Sequence, residues 1–198
     1  MSDATYLLDS NAFISPYRRY YRFSFCPGFW DFLHFQFESG ESQSISKVYD
    51  EITRNTDDLS KWLKANLNKK MFIDATQDPE VISKYEDVSA WVMGNERFLD
   101  SAKRDFLQVP EADPWLCAFA AVHGCTVVTE EVSDPQARRR VSLADVLDAF
   151  EVPYVNVFDF LETQQAKFIL EQTKDNCQAA CPSSSLSSDQ QYRDSEMQ

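Results

Sequence analysis

Residues 5–11 read TYLLDSN, and this stretch decides the fold class because it changes abruptly from apolar to polar. Its apolar half predicts a short buried strand, while its polar end, Asp9-Ser10-Asn11, is typical of the start of a helix. A second stretch, CTVVTEE at residues 125–131, has the same form and ends in two acids. We therefore expect strands that lead directly into polar residues at one end of a sheet.

Helices are expected between these strands, because apolar residues recur at helical spacing over most of the chain. The predicted helices cover residues 29–37, 44–54, 57–70, 78 onward, 96–107, 113–123, 142–150 and 158–173, and further strands are predicted at 71–73 and 154–157. Strands separated by helices favour a parallel sheet that is covered on both faces. The sequence thus predicts the α/β class.

Composition bounds the number of domains and excludes several classes of binding protein. The chain has 198 residues, and its 19 basic and 32 acidic residues give a net charge of −13, which excludes a generally basic nucleic-acid coat. Its 4 glycines are too scattered for a Walker A or GxGxxG phosphate loop. We expect one domain over residues 1–174 and a disordered tail, rich in Ser, Gln and Asp, over residues 175–198.

The cysteines and the apolar runs indicate where the protein works. The chain has 5 cysteines, an odd number without a secretory leader, which favours a reduced protein in the cytoplasm. No apolar run is long enough to span a membrane, so we expect no membrane partner. Cys177 and Cys181 lack further ligands, since the chain has only His34 and His123, and a zinc site is not expected.

Acidic residues follow the predicted strands, which is where ligands gather in parallel sheets. Asp9 ends the first strand, and Glu130 and Glu131 end the strand within residues 125–129. Asp113 opens a helix whose other residues are almost wholly apolar, so we expect this helix to be buried with its first residue at an end of the sheet. Each acid alone also has an ordinary interpretation, as a helix cap or a solvated loop residue.

A fourth acid, Glu51, lies in the helical segment 48–52, where neighbouring Asp50 competes with it for the inward position. Converging carboxylates repel one another, by roughly 4 kcal/mol for a pair about 4 Å apart at an effective dielectric near 20. A divalent cation relieves that repulsion, and carboxylate oxygens favour Mg²⁺ or Mn²⁺. Such an ion lowers the pKa of an attacking water, which supports hydrolysis of a phosphodiester.

Together these residues resemble the motifs of the PIN-domain nucleases, over about residues 5–160. The resemblance rests on four segments in the same order: Leu7-Leu8-Asp9-Ser10-Asn11, Val48-Tyr49-Asp50-Glu51-Ile52, Ala112-Asp113-Pro114-Trp115-Leu116 and Val127-Val128-Thr129-Glu130-Glu131. It implies a three-layer α/β/α fold with a central, mainly parallel sheet, and a ribonuclease that depends on Mg²⁺ or Mn²⁺. The metal ligands and catalytic residues that it implies are Asp9, Glu51, Asp113 and Glu131.

The resemblance also has a finer level. The chain looks most similar to an uncharacterised PIN-like branch that is related to toxin–antitoxin ribonucleases. That branch carries a Tyr-Tyr and Pro-Gly-Phe-Trp insertion, which stands here as Tyr20-Tyr21 and Pro27-Gly28-Phe29-Trp30. Many PIN relatives are toxins of such pairs, so the resemblance implies an antitoxin protein as a partner.

The sequence departs from the PIN pattern at the fourth acid, which is Glu rather than Asp. Register with Thr129 favours Glu131 as the ligand, and Glu130 is the alternative. The longer side chain moves the carboxylate by about one C–C bond. Asn11, two residues beyond Asp9, is expected to orient a ligand or a water molecule.

RNA binding by an acidic chain needs a local cationic surface. Residues 17–23 mix cations with aromatic rings just after Asp9, and residues 138–140 are consecutive arginines after Glu131. Arginine binds phosphate bidentately, and tyrosine stacks on unpaired bases. The candidate substrate-binding residues are Asn11, Arg18, Arg19, Arg22, Arg138 and Arg139, although a solvated helix surface explains the same pattern.

We therefore predict an endoribonuclease that cuts RNA, with a second copy of the chain, in a homodimer, as a further candidate partner. The alternative is a PIN-like fold that has lost activity and only binds a partner, which the Glu substitution and the acidic charge favour. A phosphohydrolase with Asp9 as covalent nucleophile ranks last, because haloacid-dehalogenase-like enzymes carry an Asp where Asn11 stands.

Overall fold

A computed structural model describes residues 6–169 of the chain. The chain divides into two units, residues 1–166 and 167–198. Every helix and strand below lies in the first unit, and residues 167–169 of the second are neither helical nor extended. The predicted tail at 175–198 lies outside the described residues, so its disorder and the domain boundary at residue 174 stay predictions.

The centre of the first unit is a four-stranded sheet in which all neighbouring strands are parallel. Its strands are β1 (Tyr6–Leu8), β2 (Ser42–Gln43), β3 (Thr126–Val128) and β4 (Tyr154–Val155), in the order β2-β1-β3-β4. The central pair is in register, with Leu8 opposite Val128. Because the strands are parallel and joined by helices, the predicted α/β class is confirmed.

Helices cover the sheet on both sides. They are α1 (Asn11–Ser15), α2 (Pro27–Ser39), α3 (Ser46–Thr53), α4 (Asp58–Asn66), α5 (Pro79–Gly94), α6 (Asp100–Phe106), α7 (Asp113–His123), α8 (Leu143–Ala149) and α9 (Val157–Thr163). A π-helical turn, Pro16–Tyr20, follows α1, and 3₁₀ turns lie at Lys69–Met71 and Ala75–Gln77. Successive side chains of a strand point to opposite faces, and all of β1 is buried, so the fold has three layers, α/β/α.

Helix ends form where the sequence supplies caps. Gly40 and Gly124 end α2 and α7 in the left-handed conformation, at φ 76° and 68°, which glycine adopts without steric cost. Asp78 caps α5 by accepting hydrogen bonds from two backbone amides of its first turn. Ser142 and Asp145 form a capping box at the start of α8.

The predicted strand at residues 71–73 is wrong. Met71 belongs to a 3₁₀ turn, and Ile73 makes only an isolated bridge to Ile45. The edge position is taken instead by Ser42–Gln43, which pairs with β1. This strand is too short and too polar to show an apolar run.

The last helix is shorter than predicted. The helix α9 ends at Thr163, not at residue 173, and residues 164–169 are not helical. Gln165 has a φ of 52°, in the left-handed region, which terminates a right-handed helix. The predicted helical residues 170–173 lie outside the described part of the chain. None of the helices within residues 6–169 is both long enough and apolar enough to cross a membrane.

Candidate functional site

The first predicted acid, Asp9, lies at the carboxyl end of the two central strands. Asp9 follows β1 and Thr129 follows β3, and the register of these strands brings both residues to the same end of the sheet. The Thr129 hydroxyl donates to Oδ2 of Asp9 at 2.9 Å, and the Ser10 amide donates to Oδ1 at 2.5 Å. Asp9 is only 1% exposed, so its carboxylate is fixed by protein donors rather than by water.

Glu51 reaches the same place through Ser10. The Ser10 hydroxyl donates to Oε1 of Glu51 at 3.1 Å, which ties α3 to the end of β1. Asp50 instead pairs with Lys69 at 2.5 Å, and half of its side-chain surface is exposed. The ambiguity in the sequence between Asp50 and Glu51 is therefore resolved in favour of Glu51.

Asp113 joins these acids as the first residue of α7. The carboxylate of Asp113 accepts no hydrogen bond from any of residues 6–169, although the residue is partly buried. Burial raises the pKa of Asp113 well above its ordinary value, and the charges of Asp9, Glu131 and Glu51 raise it further. The structure therefore brings Asp113 electrostatically close to each of the other three predicted ligands.

The helix α3 also holds the loop that precedes Asp113. Lys47 Nζ donates to the carbonyl of Val109 at 2.7 Å, and the Arg54 guanidinium donates to the carbonyl of Pro110 at 3.0 Å. Lys47 lies on α3, the helix that carries Glu51, and Arg54 caps the end of this helix. These contacts link the position of Glu51 to the start of α7.

The pKa values of Asp9 and Glu51 are also raised. Burial is the main cause that raises the pKa of Asp9, and the charge of Glu131 adds to it, while the bonds from Thr129 and Ser10 act in the opposite direction. Burial and the charge of Asp9 raise the pKa of Glu51. These carboxylates thus disfavour one another's charged form, a cost that a cation among them would remove.

Glu131 and Glu130 have separate contacts. Oε2 of Glu131 accepts from the amide of Leu143 at 2.6 Å, and Oε1 forms an ion pair with Arg140. Oε1 of Glu130 accepts from the amide of Val157, the first residue of α9, at 3.0 Å. The charge of Glu131 contributes to the raised pKa values of both Asp9 and Asp113, which favours Glu131 over Glu130 as the fourth acid.

The donor chemistry of this cluster suits a hard divalent ion. All four acids offer carboxylate oxygens, the ligands that Mg²⁺ and Mn²⁺ prefer. Within residues 6–169, however, no three Asp, Glu, His or Cys side chains are already arranged as an ion-binding group. Both oxygens of the Glu131 carboxylate already have protein partners. Side chains would therefore have to rearrange when an ion binds.

Two pockets border this cluster. One, of about 320 Å³, is lined by Asn11, Ser15, Arg19, Glu130, Glu131, Val132, Arg140 and Ser142. The other, of about 250 Å³, is lined by Ala102, Asp105, Phe106, Gln108, Glu111, Asp113, Arg139, Arg140 and Val141. The predicted residues Asn11, Arg19 and Arg139 therefore lie beside the acids.

Within residues 6–169, the arginine that contacts the acidic cluster is Arg140, the third residue of the arginine run at 138–140. The Arg138 side chain donates to the carbonyl of Arg97 at 3.4 Å, and Arg138 lines neither pocket. Arg140 lines both pockets and pairs with Glu131, although the sequence singled out Arg138 and Arg139. The run of arginines at residues 138–140 was the available signal, but it does not show which side chain turns inward.

Arg18 and Arg22 lie in a different pocket from Arg19. This pocket, of about 410 Å³, is lined by Tyr17, Arg18, Arg22, Phe23, Ser24 and Asp58. Neither Arg18 nor Arg22 forms an ion pair within residues 6–169, whereas Asp58 pairs with Lys61. The basic residues predicted at 17–23 thus form two groups, with Arg19 in one pocket and Arg18 and Arg22 in another.

Comparison with known proteins gives a family but no activity. No curated protein matches the chain. A family model described as a domain of unknown function, DUF4411, matches residues 6–168. That range includes all four acids of the cluster and the basic residues that line the three pockets. The chain belongs to the DUF4411 family.

Proposed function

We propose that this chain is a PIN-like endoribonuclease that hydrolyses RNA phosphodiesters with the help of Mg²⁺ or Mn²⁺. The observation that carries the proposal is the state of Asp113. Asp113 is partly buried, its carboxylate has no hydrogen-bond donor among residues 6–169, and the charges of four other carboxylates raise its pKa. A side chain of this kind is costly unless a cation binds it, and perturbed groups cluster at functional sites.

Each acid has a distinct part in the proposed site. Asp9 and Asp113 supply the central ligands, and Glu51 and Glu131 complete the set from either side. A bound ion would lower the pKa of a water molecule and stabilise negative charge on the phosphate. Asn11 lines the pocket that contains Glu131, so its amide is placed to orient a water molecule or a phosphate oxygen.

Basic residues supply the local attraction for RNA that a net charge of −13 otherwise opposes. Arg19 and Arg139 line the two pockets beside the acids, where they would bind phosphates that flank the scissile one. Arg18 and Arg22 line a third pocket, next to Tyr17 and Phe23, where they would extend the basic surface. Aromatic rings beside cations favour single-stranded RNA, whose bases are free to stack.

A cleavage assay tests the proposal. Purified protein should cut a labelled single-stranded RNA when Mn²⁺ is added, and EDTA should stop the reaction. The double variant Asp9→Asn/Asp113→Asn should lose cleavage, whereas Asp50→Asn, an acid of the same helix as Glu51 that points to Lys69, should retain it. Unchanged cleavage by the double variant would show that another centre, or a contaminant, does the chemistry.

An inactive binding protein with the same fold is the second candidate. The engagement of both Glu131 oxygens by Leu143 and Arg140 favours it, because a scaffold without metal needs such internal partners. Calorimetric titration with Mn²⁺ separates the candidates, since a scaffold should bind Mn²⁺ no better than its Asp113→Asn variant.

The proposed location is the cytoplasm, which the free thiols of Cys26, Cys117 and Cys125 support. A toxin role, an antitoxin partner and a homodimer remain predictions that rest on the sequence.

A further inference from the structure

Arg140 is the one cation in direct contact with the acidic cluster among residues 6–169. Its guanidinium forms an ion pair with Oε1 of Glu131, at the junction of the two pockets that flank the acids. Its neighbour Arg139 lines only the pocket that contains Asp113 and forms no ion pair within the described chain. Arg140 thus lies next to Glu131, the fourth proposed metal ligand.

The two partners of this ion pair differ in their exposure. The Glu131 side chain is 10% exposed, whereas the Arg140 side chain is 72% exposed. Glu131 is also held by the amide of Leu143, so its carboxylate stays in place if the guanidinium leaves. The Arg140 guanidinium is already largely hydrated, so the cost of its release falls mainly on the Glu131 carboxylate, whose charge a divalent ion would then neutralise.

We infer that Arg140 is the resident counter-cation of this site and that it exchanges with the divalent ion at Glu131. In the protein without metal, Arg140 neutralises Glu131, which is a neighbour of both Asp9 and Asp113. When a divalent ion binds, Arg140 releases Oε1 of Glu131, and that oxygen becomes available as a ligand. The inference rests on the proposed function, since it requires that the acids bind a metal.

Calorimetric titration with Mn²⁺ tests this exchange without depending on catalysis. Arg140→Gln should bind Mn²⁺ about three- to tenfold more tightly than the unmodified protein, which corresponds to the loss of one partly exposed ion pair. Arg139→Gln removes the same charge from the adjacent pocket without breaking an ion pair, and it should change the affinity by less than about twofold. Arg140→Ala should behave like Arg140→Gln.

Thermal unfolding gives a second readout of the same variants. Without metal, Arg140→Gln should unfold at a lower temperature than the unmodified protein, because Glu131 is left without its counter-charge. At saturating Mn²⁺ the difference should disappear, since the ion then serves all the acids. A deficit that persists at saturating Mn²⁺ would show that Arg140 is a structural residue and would overturn the exchange.

The results distinguish failure of the inference from failure of the proposed function. Equal or weaker Mn²⁺ binding by Arg140→Gln, with clear binding by the unmodified protein, overturns the exchange and leaves the metal site standing. No Mn²⁺ binding by either protein overturns the proposed function itself. Binding by Arg140→Gln alone supports both, because it shows that the guanidinium blocks the site.

Discussion

The hydroxyl of Thr129 donates a hydrogen bond to Oδ2 of Asp9 at 2.9 Å, across 120 residues of sequence. Each residue is the first after one of the two central strands, so this bond fixes the ends of β1 and β3 together. The same hydroxyl accepts from the amide of Glu131 at 3.2 Å. One threonine thus sets the relative positions of two of the proposed metal ligands.

Replacing Thr129 with Val should destabilise the protein by about 1–3 kcal/mol, because the buried carboxylate of Asp9 loses a donor. Thr129→Ser keeps the hydroxyl and should cost only about 1 kcal/mol, the value of a buried methyl group. Unfolding in urea measures both. Equal losses for Val and Ser would show that the methyl group, not the hydrogen bond, is what matters.

Asp113→Asn should make the metal-free protein more stable at pH 8. The pKa of Asp113 is raised in the folded state, so its contribution to stability is present below its ordinary pKa and is lost as the pH rises through the raised value. Asparagine carries no such charge. Each kcal/mol that the substitution adds to the free energy of unfolding should raise the melting temperature by about 2–4 °C. Thermal unfolding between pH 4 and pH 8, in EDTA, follows the effect.

Asp50→Asn is the matched control for this pH series, because Asp50 is half exposed and paired with Lys69. Asp50→Asn should leave the change in melting temperature between pH 4 and pH 8 the same as in the unmodified protein. A lower melting temperature for Asp113→Asn at pH 8 would mean that the Asp113 carboxylate mainly stabilises the first turn of α7, as an ordinary N-terminal acid does.

Glu130→Gln and Glu131→Gln should separate structure from metal binding. Glu130 accepts from the first amide of α9, and Gln keeps an acceptor there but loses the charge, so the substitution should lower stability by about 0.3–1 kcal/mol and leave Mn²⁺ affinity unchanged. Glu131→Gln should weaken Mn²⁺ binding about tenfold or more, because it removes a charged ligand. If Glu130→Gln gave the larger loss of affinity in calorimetry, the fourth ligand would be Glu130.

Arg18→Ala/Arg22→Ala should weaken RNA binding without changing Mn²⁺ affinity, because these arginines line a pocket that contains none of the four acids. Each lost phosphate contact on a single strand reduces the slope of log affinity against log salt by about 0.7. Fluorescence anisotropy of a labelled RNA, in Ca²⁺ or EDTA to prevent cleavage, measures this slope. Arg104→Ala, at an exposed arginine of α6, is the control and should leave the slope unchanged.

The fold was predictable wherever an element carries its own signal. The strand Tyr6–Leu8 and the helix Asp113–His123 are apolar and end in polar or glycine residues, so local pattern and tertiary structure agree. The strand Ser42–Gln43 has no apolar pattern. It is stabilised by pairing with the strand Tyr6–Leu8, far away in the sequence, with Ser42 opposite Tyr6, which no local pattern encodes.

The site was predictable for those residues that directly follow a strand of the parallel sheet. The parallel arrangement places Asp9 and Thr129 side by side, and the choice of Glu51 and Asp113 follows from the helices that they begin or occupy. The Arg140 contact was not predictable. It depends on the path of residues 130–142, an irregular segment in which no periodicity tells which arginine faces inward.

Anomalous diffraction from a crystal grown with saturating Mn²⁺ tests most directly whether the four carboxylates share an ion. We expect a manganese peak with oxygens of Asp9 and Asp113 about 2.0–2.6 Å away, and with the Arg140 guanidinium displaced from Glu131. A map that shows no manganese between Asp9 and Asp113, while Mn²⁺ is bound elsewhere on the protein, would contradict the metal-dependent nuclease.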